Sequence, residues 1–212
     1  KPQSSSLGCG QVLPCPYTAD KARIVVQEMI DGISLELVEK RLVTDQLVLT
    51  VGYDIENLTR PEIRKVYKGP VTTDRYGRRV PKHAHGTWNL PRATSSSSEL
   101  LEAMAALYDK IVNPALLIRR MSLSACHVVN EKMAKEREQK ETFEQLDLFT
   151  DYAKKEAKEK EEQKKRERER RMQEALLTIK KKYGKNAVLR GMNFEEGATA
   201  KERNGQIGGH QA

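Results

Sequence analysis

The sequence predicts an α+β fold, a four-stranded antiparallel β-sheet with two helices on one face, in the order β-α-β-β-α-β. Three observations carry it. Two long segments repeat apolar residues at three- and four-residue steps, the period of a helix that buries one side. Around them lie shorter segments rich in β-branched or alternating residues, as strands are. The two kinds of segment follow one another so that both helices can cover one sheet face and leave the other open.

In chain order, KPQSSSLGCGQVLPCPYT reads as extended chain punctuated by Gly and Pro, with GQVLP as a short strand. Ala19–Lys40 reads as a helix, with Ile24, Val25, Met29, Ile33, Leu37 and Val38 on its apolar face. Asp20 suits its N-cap and Gly32 is a weak point within it. QLVLTVGY, residues 46–53, is a β-branched strand. A polar excursion follows to residue 80, with turn signals in YKGP and DRYGRR. HAHGTWNL, residues 83–90, is the next strand. TSSSSELLEAMAALYDKIV is a helix: serines cap it, Glu99 comes early, and Leu100, Leu101, Met104, Leu107, Tyr108 and Ile111 share a face. LLIRRMSLSACHVV closes the set as the last strand.

Residues 131–182 contain neither Pro nor Gly and mix charges of both signs, which predicts a charged helical extension. Met172, Ala175, Leu176, Ile179 and Tyr183 form a short stripe at helical spacing, ended by Gly184 at a C′ position. The Gly-rich residues 184–212 read as a flexible tail. The expected division is thus 1–130 for the sheet domain, 131–183 for the extension and 184–212 for the tail.

The chain carries 38 Lys and Arg against 30 Asp and Glu, a net charge of +8, which favours a polyanionic partner, nucleic acid before membrane. No apolar run is long enough to span a bilayer, so no membrane partner is expected. Three cysteines, an odd number, without a signal peptide, point to a reducing, cytoplasmic setting. The spacing of Cys9 and Cys15 and the His83-Ala84-His85 pair do not form a metal-ligand pattern, and no Ser-His-Asp set or phosphate-binding glycine loop is present. The chain opens at Lys1 in mid-pattern, which suggests a piece of a longer protein.

Several stretches together resemble a known family: SLGCGQVLPCPY, LVTDQLVLTVGYDIENLT, TTDRYGRRVPKHAHGT, IVNPALLIRRMSL, QLDLFTDY and KKYGKNAVLRGMNFEEGAT. In this order they are similar to the C-terminal part of UmuC/DinB-type Y-family translesion DNA polymerases of Gram-positive bacteria. The resemblance implies that residues 1–130 are a little finger, the module that grips primer–template DNA. It also implies a role in DNA repair and the SOS response. The palm carboxylates that hold two Mg2+ ions in such enzymes lie N-terminal to this module, and nothing here matches them. The chain is therefore expected to hold no cofactor and to polymerise nothing alone, although its parent would be a DNA-directed DNA polymerase.

Phosphate contacts give affinity and register without reading sequence, which suits work at any lesion. Arg119 and Arg120 align with paired basic residues on the last strand of family little fingers. Alternation along a strand lets only one of the two face the open side directly. Arg75, Arg78, Arg79 and Lys82 form a dense basic loop, and His85 adds a donor beside it. Residues 94–98 offer hydroxyls and N–H groups at a helix start, and Ser97 is taken as a candidate phosphate contact there.

QLDLF, residues 145–149, sits within otherwise charged sequence and matches the bacterial sliding-clamp-binding pattern. Gln145 can both donate and accept through its amide. Leu148 and Phe149 would fill one apolar pocket, with Leu146 beside them. Each such burial contributes about 1.5–3 kcal/mol, and the ordering of a flexible peptide offsets several kcal/mol, so the complex with the β clamp should be about micromolar.

Two other readings compete. A stand-alone, non-catalytic accessory protein could bind DNA and the clamp without synthesis. An RNA-binding sheet would show aromatics on adjacent strands, for which only Tyr53 and Trp88 are available.

Overall fold

The structure, a computed structural model, describes residues 5–74, 76–142, 152–207 and 210–211. Strand β1 spans Ser5–Tyr17, helix α1 Ala19–Lys40 and strand β2 Leu42–Tyr53. The excursion after β2 holds two short helices, α2 at Glu56–Thr59 and α3 at Pro61–Val66, and a hairpin of β3, Val71–Thr73, with β4, Arg79–Pro81. Strand β5 at Ala84–Thr94, helix α4 at Ser97–Ile111 and strand β6 at Ile118–Asn130 complete the β-α-β-β-α-β core. The sheet is four-stranded and antiparallel, in the order β1-β6-β2-β5. The α+β architecture expected from the sequence is the observed one.

The core lies between the sheet and its two helices. Leu47, Leu49 and Val51 of β2 stand beside Ala125, Leu123 and Met121 of β6, all buried. They meet Val26, Met29 and Ile30 of α1 and Leu100, Met104 and Leu107 of α4 in one cluster. This is the period-2 and period-3.6 patterning of the sequence closing on itself. At Gly86 a β-carbon would lie 2.8 Å from Ile111 Cγ2 and 2.9 Å from Leu107 Cδ1, so only glycine lets α4 settle this close to β5.

Several strand boundaries differ from those expected from the sequence. Strand β1 runs for 13 residues, not the five of GQVLP, because pairing to β6 carries Gly8 and Gly10 despite their weak strand preference. Strand β5 continues through Pro91 to Thr94, which an edge strand tolerates because one side of its backbone needs no partner. The excursion is tied down by Asn57, which is fully buried. Its Nδ2 donates to Asp54 O at 2.9 Å and Leu117 O at 2.8 Å, and its Oδ1 accepts from Leu117 N at 2.7 Å.

Helix α5, Glu131–Thr142, continues from β6, and α6 spans Tyr152–Tyr183. Gln173 of α6 is buried and donates to Ser95 O at 3.0 Å and to Ser97 Oγ at 2.8 Å. Arg170 reaches Glu131 at 3.3 Å, and Lys181 reaches Glu39 of α1 at 2.8 Å. Helix α6 thus lies on the helical layer, away from the open sheet face. Gly184, at φ 97°, ends it by donating to Lys180 O at 3.0 Å, as its place in the sequence suggests.

Residues 184–205, read from composition as a flexible tail, are instead folded onto α1. A 3-10 turn at Gly191–Phe194 and a short helix α7 at Ala200–Arg203 converge on Glu28, which is 3% exposed. The Glu28 carboxylate accepts from Thr199 N at 2.8 Å, Ala200 N at 3.0 Å and Asn193 Nδ2 at 2.7 Å. Arg190 Nη2 sits 2.7 Å from Asp31 Oδ1, near enough for charge attraction but off the line of a hydrogen bond. Burial pushes the Asp31 carboxyl up, and the Arg190 and Lys180 charges offset only part of that. Gln11 closes the clasp from β1, donating to Thr199 Oγ1 at 2.8 Å and accepting from Arg203 at 2.6 Å. Composition misled here because the partners of these polar groups lie far away in the sequence.

Candidate nucleic-acid interface

The side chains that alternate with the core residues make up the open face. By register these are Gly8, Gly10 and Val12 of β1, Arg120, Ser122, Ser124 and Cys126 of β6, Gln46, Val48, Thr50 and Gly52 of β2, and His85, Thr87 and Asn89 of β5. Most of these side chains are small, four of them (Thr50, Thr87, Ser122 and Ser124) carry hydroxyls, and no carboxylate occupies any of these positions. Glycines at Gly8 and Gly10 leave the backbone of β1 open to close approach.

Arg120 lies across the neighbouring strand. A β-carbon on Gly52 would come within 2.6 Å of Arg120 Cγ and 2.7 Å of its Nε, so the missing side chain of Gly52 is the bed on which the guanidinium rests. His85 is fixed by a 2.9 Å hydrogen bond between its Nδ1 and Thr50 Oγ1, and its ring is exposed. Gln46 Nε2 donates to Asn89 Oδ1 at 3.0 Å across the same pair of strands. Arg119 turns the other way. Its Nε is 3.8 Å from Asp54 Oδ2, so half of the Arg119–Arg120 pair is engaged in a structural ion pair.

The basic loop is the β3–β4 hairpin. Pairing of Gly52 with Arg120 and of Val51 with Ala84 puts the hairpin's exit into β5 and Arg120 at the same end of the sheet. Arg79 and Lys82 are exposed there. Arg78 is more constrained: its guanidinium is 2.8 Å from Asp74 Oδ2 and lies over the Tyr76 ring at 5.1 Å. Desolvation raises the Asp74 carboxyl, but hydrogen bonds from Arg78 and Tyr76 and the Arg78 charge outweigh it and hold the group below its ordinary value. Arg78 therefore shapes the loop with a charge already neutralised. Arg75 lies outside the described residues. Over residues 54–82 there are eight Lys and Arg (Arg60, Arg64, Lys65, Lys68, Arg75, Arg78, Arg79, Lys82) against four carboxylates (Asp54, Glu56, Glu62, Asp74), which concentrates half of the chain's net charge.

No known family profile matches the chain, and no curated protein matches it. Among solved structures, the chain is similar to the little finger domain of PolIV in a complex with the beta-clamp processivity factor. That likeness covers 57% of this chain and 86% of that chain, at 8% identity and a TM-score of 0.36. It is a weak similarity of fold.

One expected contact is corrected. Ser97 is 2% exposed and hydrogen-bonds Ser34 Oγ at 2.6 Å and Gln173, so it cannot reach a phosphate. The α4 N-terminus beside it is filled by a carboxylate of the chain itself. Glu169 accepts from Ser98 N at 2.8 Å, from Ser96 Oγ at 2.6 Å and from Ser98 Oγ at 3.0 Å. The serines do attract an anion, as a helix start should, but α6 supplies it.

Gln145, Leu146, Leu148 and Phe149 lie outside the described residues. Among the described residues, no group of three or more His, Cys, Asp or Glu is placed to hold a metal, and no helix is long and apolar enough to cross a membrane. The face also contains residues that the sequence reading passed over: Gly52, Thr50, Ser122 and Ser124. The alternation of small polar residues with buried Met121, Leu123 and Ala125 in IRRMSLSAC was the available signal.

Proposed function

We propose that the chain is the DNA-gripping and clamp-binding C-terminal region of a Y-family translesion DNA polymerase, acting on primer–template DNA in damage repair and the SOS response in the cytoplasm. The observation that carries this reading is the carboxylate-free face with Arg120 laid across Gly52, beside the exposed cations of the β3–β4 hairpin. Small side chains let a sugar–phosphate backbone come close to the sheet, and the cations hold it without reading bases. The QLDLF pattern supports tethering to a β clamp. Within such a polymerase this region would position DNA, and the bond-forming chemistry would belong to a separate palm.

Duplex affinity tests the DNA part. With about four phosphate contacts, binding should weaken roughly a hundred-fold between about 50 and about 200 mM salt, with little dependence on sequence. Arg120→Ala should weaken binding equally for all sequences and reduce the salt slope by about one. Because Arg120 is exposed, the variant should keep its fold. A flat salt response, or an unchanged slope in Arg120→Ala, defeats the proposal.

A further inference from the structure

Helix α6 presents two faces. The inner one carries Gln173, Leu177 and Lys180, which pack on the domain or line the cleft beside α1. The outer one carries Met172, Leu176, Ile179 and Tyr183, spaced four, three and four residues apart. That is the spacing of a coiled-coil seam over two heptads, with Met172 and Ile179 at d and Leu176 and Tyr183 at a. Met172 is 54% exposed, Ile179 36% and Tyr183 67%, while Leu176 is half-buried, so most of the seam faces outward among the described residues. Few apolar side chains occur in α6, and leaving three of them in water is unusual for a helix with so polar a sequence.

The charges beside the seam say what would cover it. On its solvent side the flanking g positions are Arg168, Ala175 and Lys182, all exposed, and none is acidic. On the other side the e positions are Gln173 and Lys180, both turned toward the domain. An antiparallel second copy would set Arg168 against Lys182, and a parallel one would pair Arg168 with Gln173 and Ala175 with Lys180, so neither gains an ion pair across the seam. We propose that the seam receives one amphipathic helix of a different protein, apolar at a and d and acidic along the flank that faces Arg168 and Lys182. The clasp on Glu28 and the ion pair of Lys181 with Glu39 hold α6 to α1 and keep the seam turned outward. Because α6 lies on the helical layer, this site is separate from the open sheet face and can be filled while DNA is bound.

The test uses the full chain and a synthetic helix of about three heptads, with Leu at a and d and Glu at e and g. Calorimetric titration should give binding in the range of about 10–100 µM, weakened at least about tenfold by Ile179→Glu and by Tyr183→Glu. Both residues are exposed, and unchanged thermal unfolding would confirm that the variants fold. A scrambled peptide of the same composition and a heptad peptide with Lys at e and g should both fail to bind. Absent binding of the acidic helix, equal binding of either control, or indifference to both substitutions overturns the proposal. So does a duplex that competes for the same site, since the flank would then be a phosphate surface. Self-association of the chain in sedimentation, lost in Ile179→Glu, would assign the seam to a second copy instead.

Discussion

Glu28→Ala should lower the unfolding free energy by about 3 kcal/mol and expose the amides of Thr199 and Ala200 to rapid hydrogen exchange. The carboxylate is almost wholly buried and accepts from two backbone amides and the Asn193 side chain, with Thr199 Oγ1 at 3.3 Å as a further donor. Hydrogen bonds to a charged group contribute about 1.5–3 kcal/mol each, so their simple sum would exceed the expected loss. The sum does not apply, because residues 184–205 can lift off α1 and give their donors to water. The loss is then limited to the free energy that holds the clasp closed. Glu28→Gln, which keeps the shape and one acceptor oxygen, should fall between the two. Denaturant unfolding with amide exchange checks both parts. Protected Thr199 and Ala200 amides in Glu28→Ala would show that something other than Glu28 holds the segment. A looser clasp should also loosen α6, whose C-terminal end is tied to α1 by Lys181 and Glu39.

The second large effect concerns QLDLF, residues 145–149. Replacing Leu148 and Phe149 together by Ala should weaken binding to an immobilised β clamp at least about a hundred-fold. Each side chain is worth roughly 1.5–3 kcal/mol when buried, and about 1.4 kcal/mol is tenfold in affinity. Starting from about micromolar, the double variant would drop below detection in surface plasmon resonance. Duplex affinity should not change, because the substituted residues carry no charge and Arg120, Arg79 and Lys82 remain. Clamp binding that survives the double substitution would remove the tether from the proposal and leave the DNA face standing. Loss of both activities together would point to misfolding or to a single shared surface.

The two arginines at the start of β6 show how far local sequence reaches. Strand alternation predicts that one of the pair faces outward, and one does. Which one it is depends on the register with β2, where Gly52 lies opposite Arg120 and Asp54 lies within reach of Arg119. The serines before α4 teach the same lesson from the other side. Their capping role was legible, and Ser96 accepts from Glu99 N at 3.2 Å. That Glu169 would take the anion site, from 73 residues further along, was not.

By itself the sequence determined the element order, the two core helices and the apolar side of the sheet, because periods of 2 and 3.6 residues are local properties that burial reads directly. It also marked QLDLF, a pattern held within five residues. Tertiary structure alone decided that Ser97 is buried, that Arg120 rather than Arg119 lies on the open face, and that residues 184–205 clasp α1. Each depends on a polar partner distant in the chain, as Asn193 is from Glu28 across 165 positions. Hydrogen bonds and ion pairs are short-ranged in space but leave no periodic trace in sequence, so only the folded arrangement reveals which groups they join.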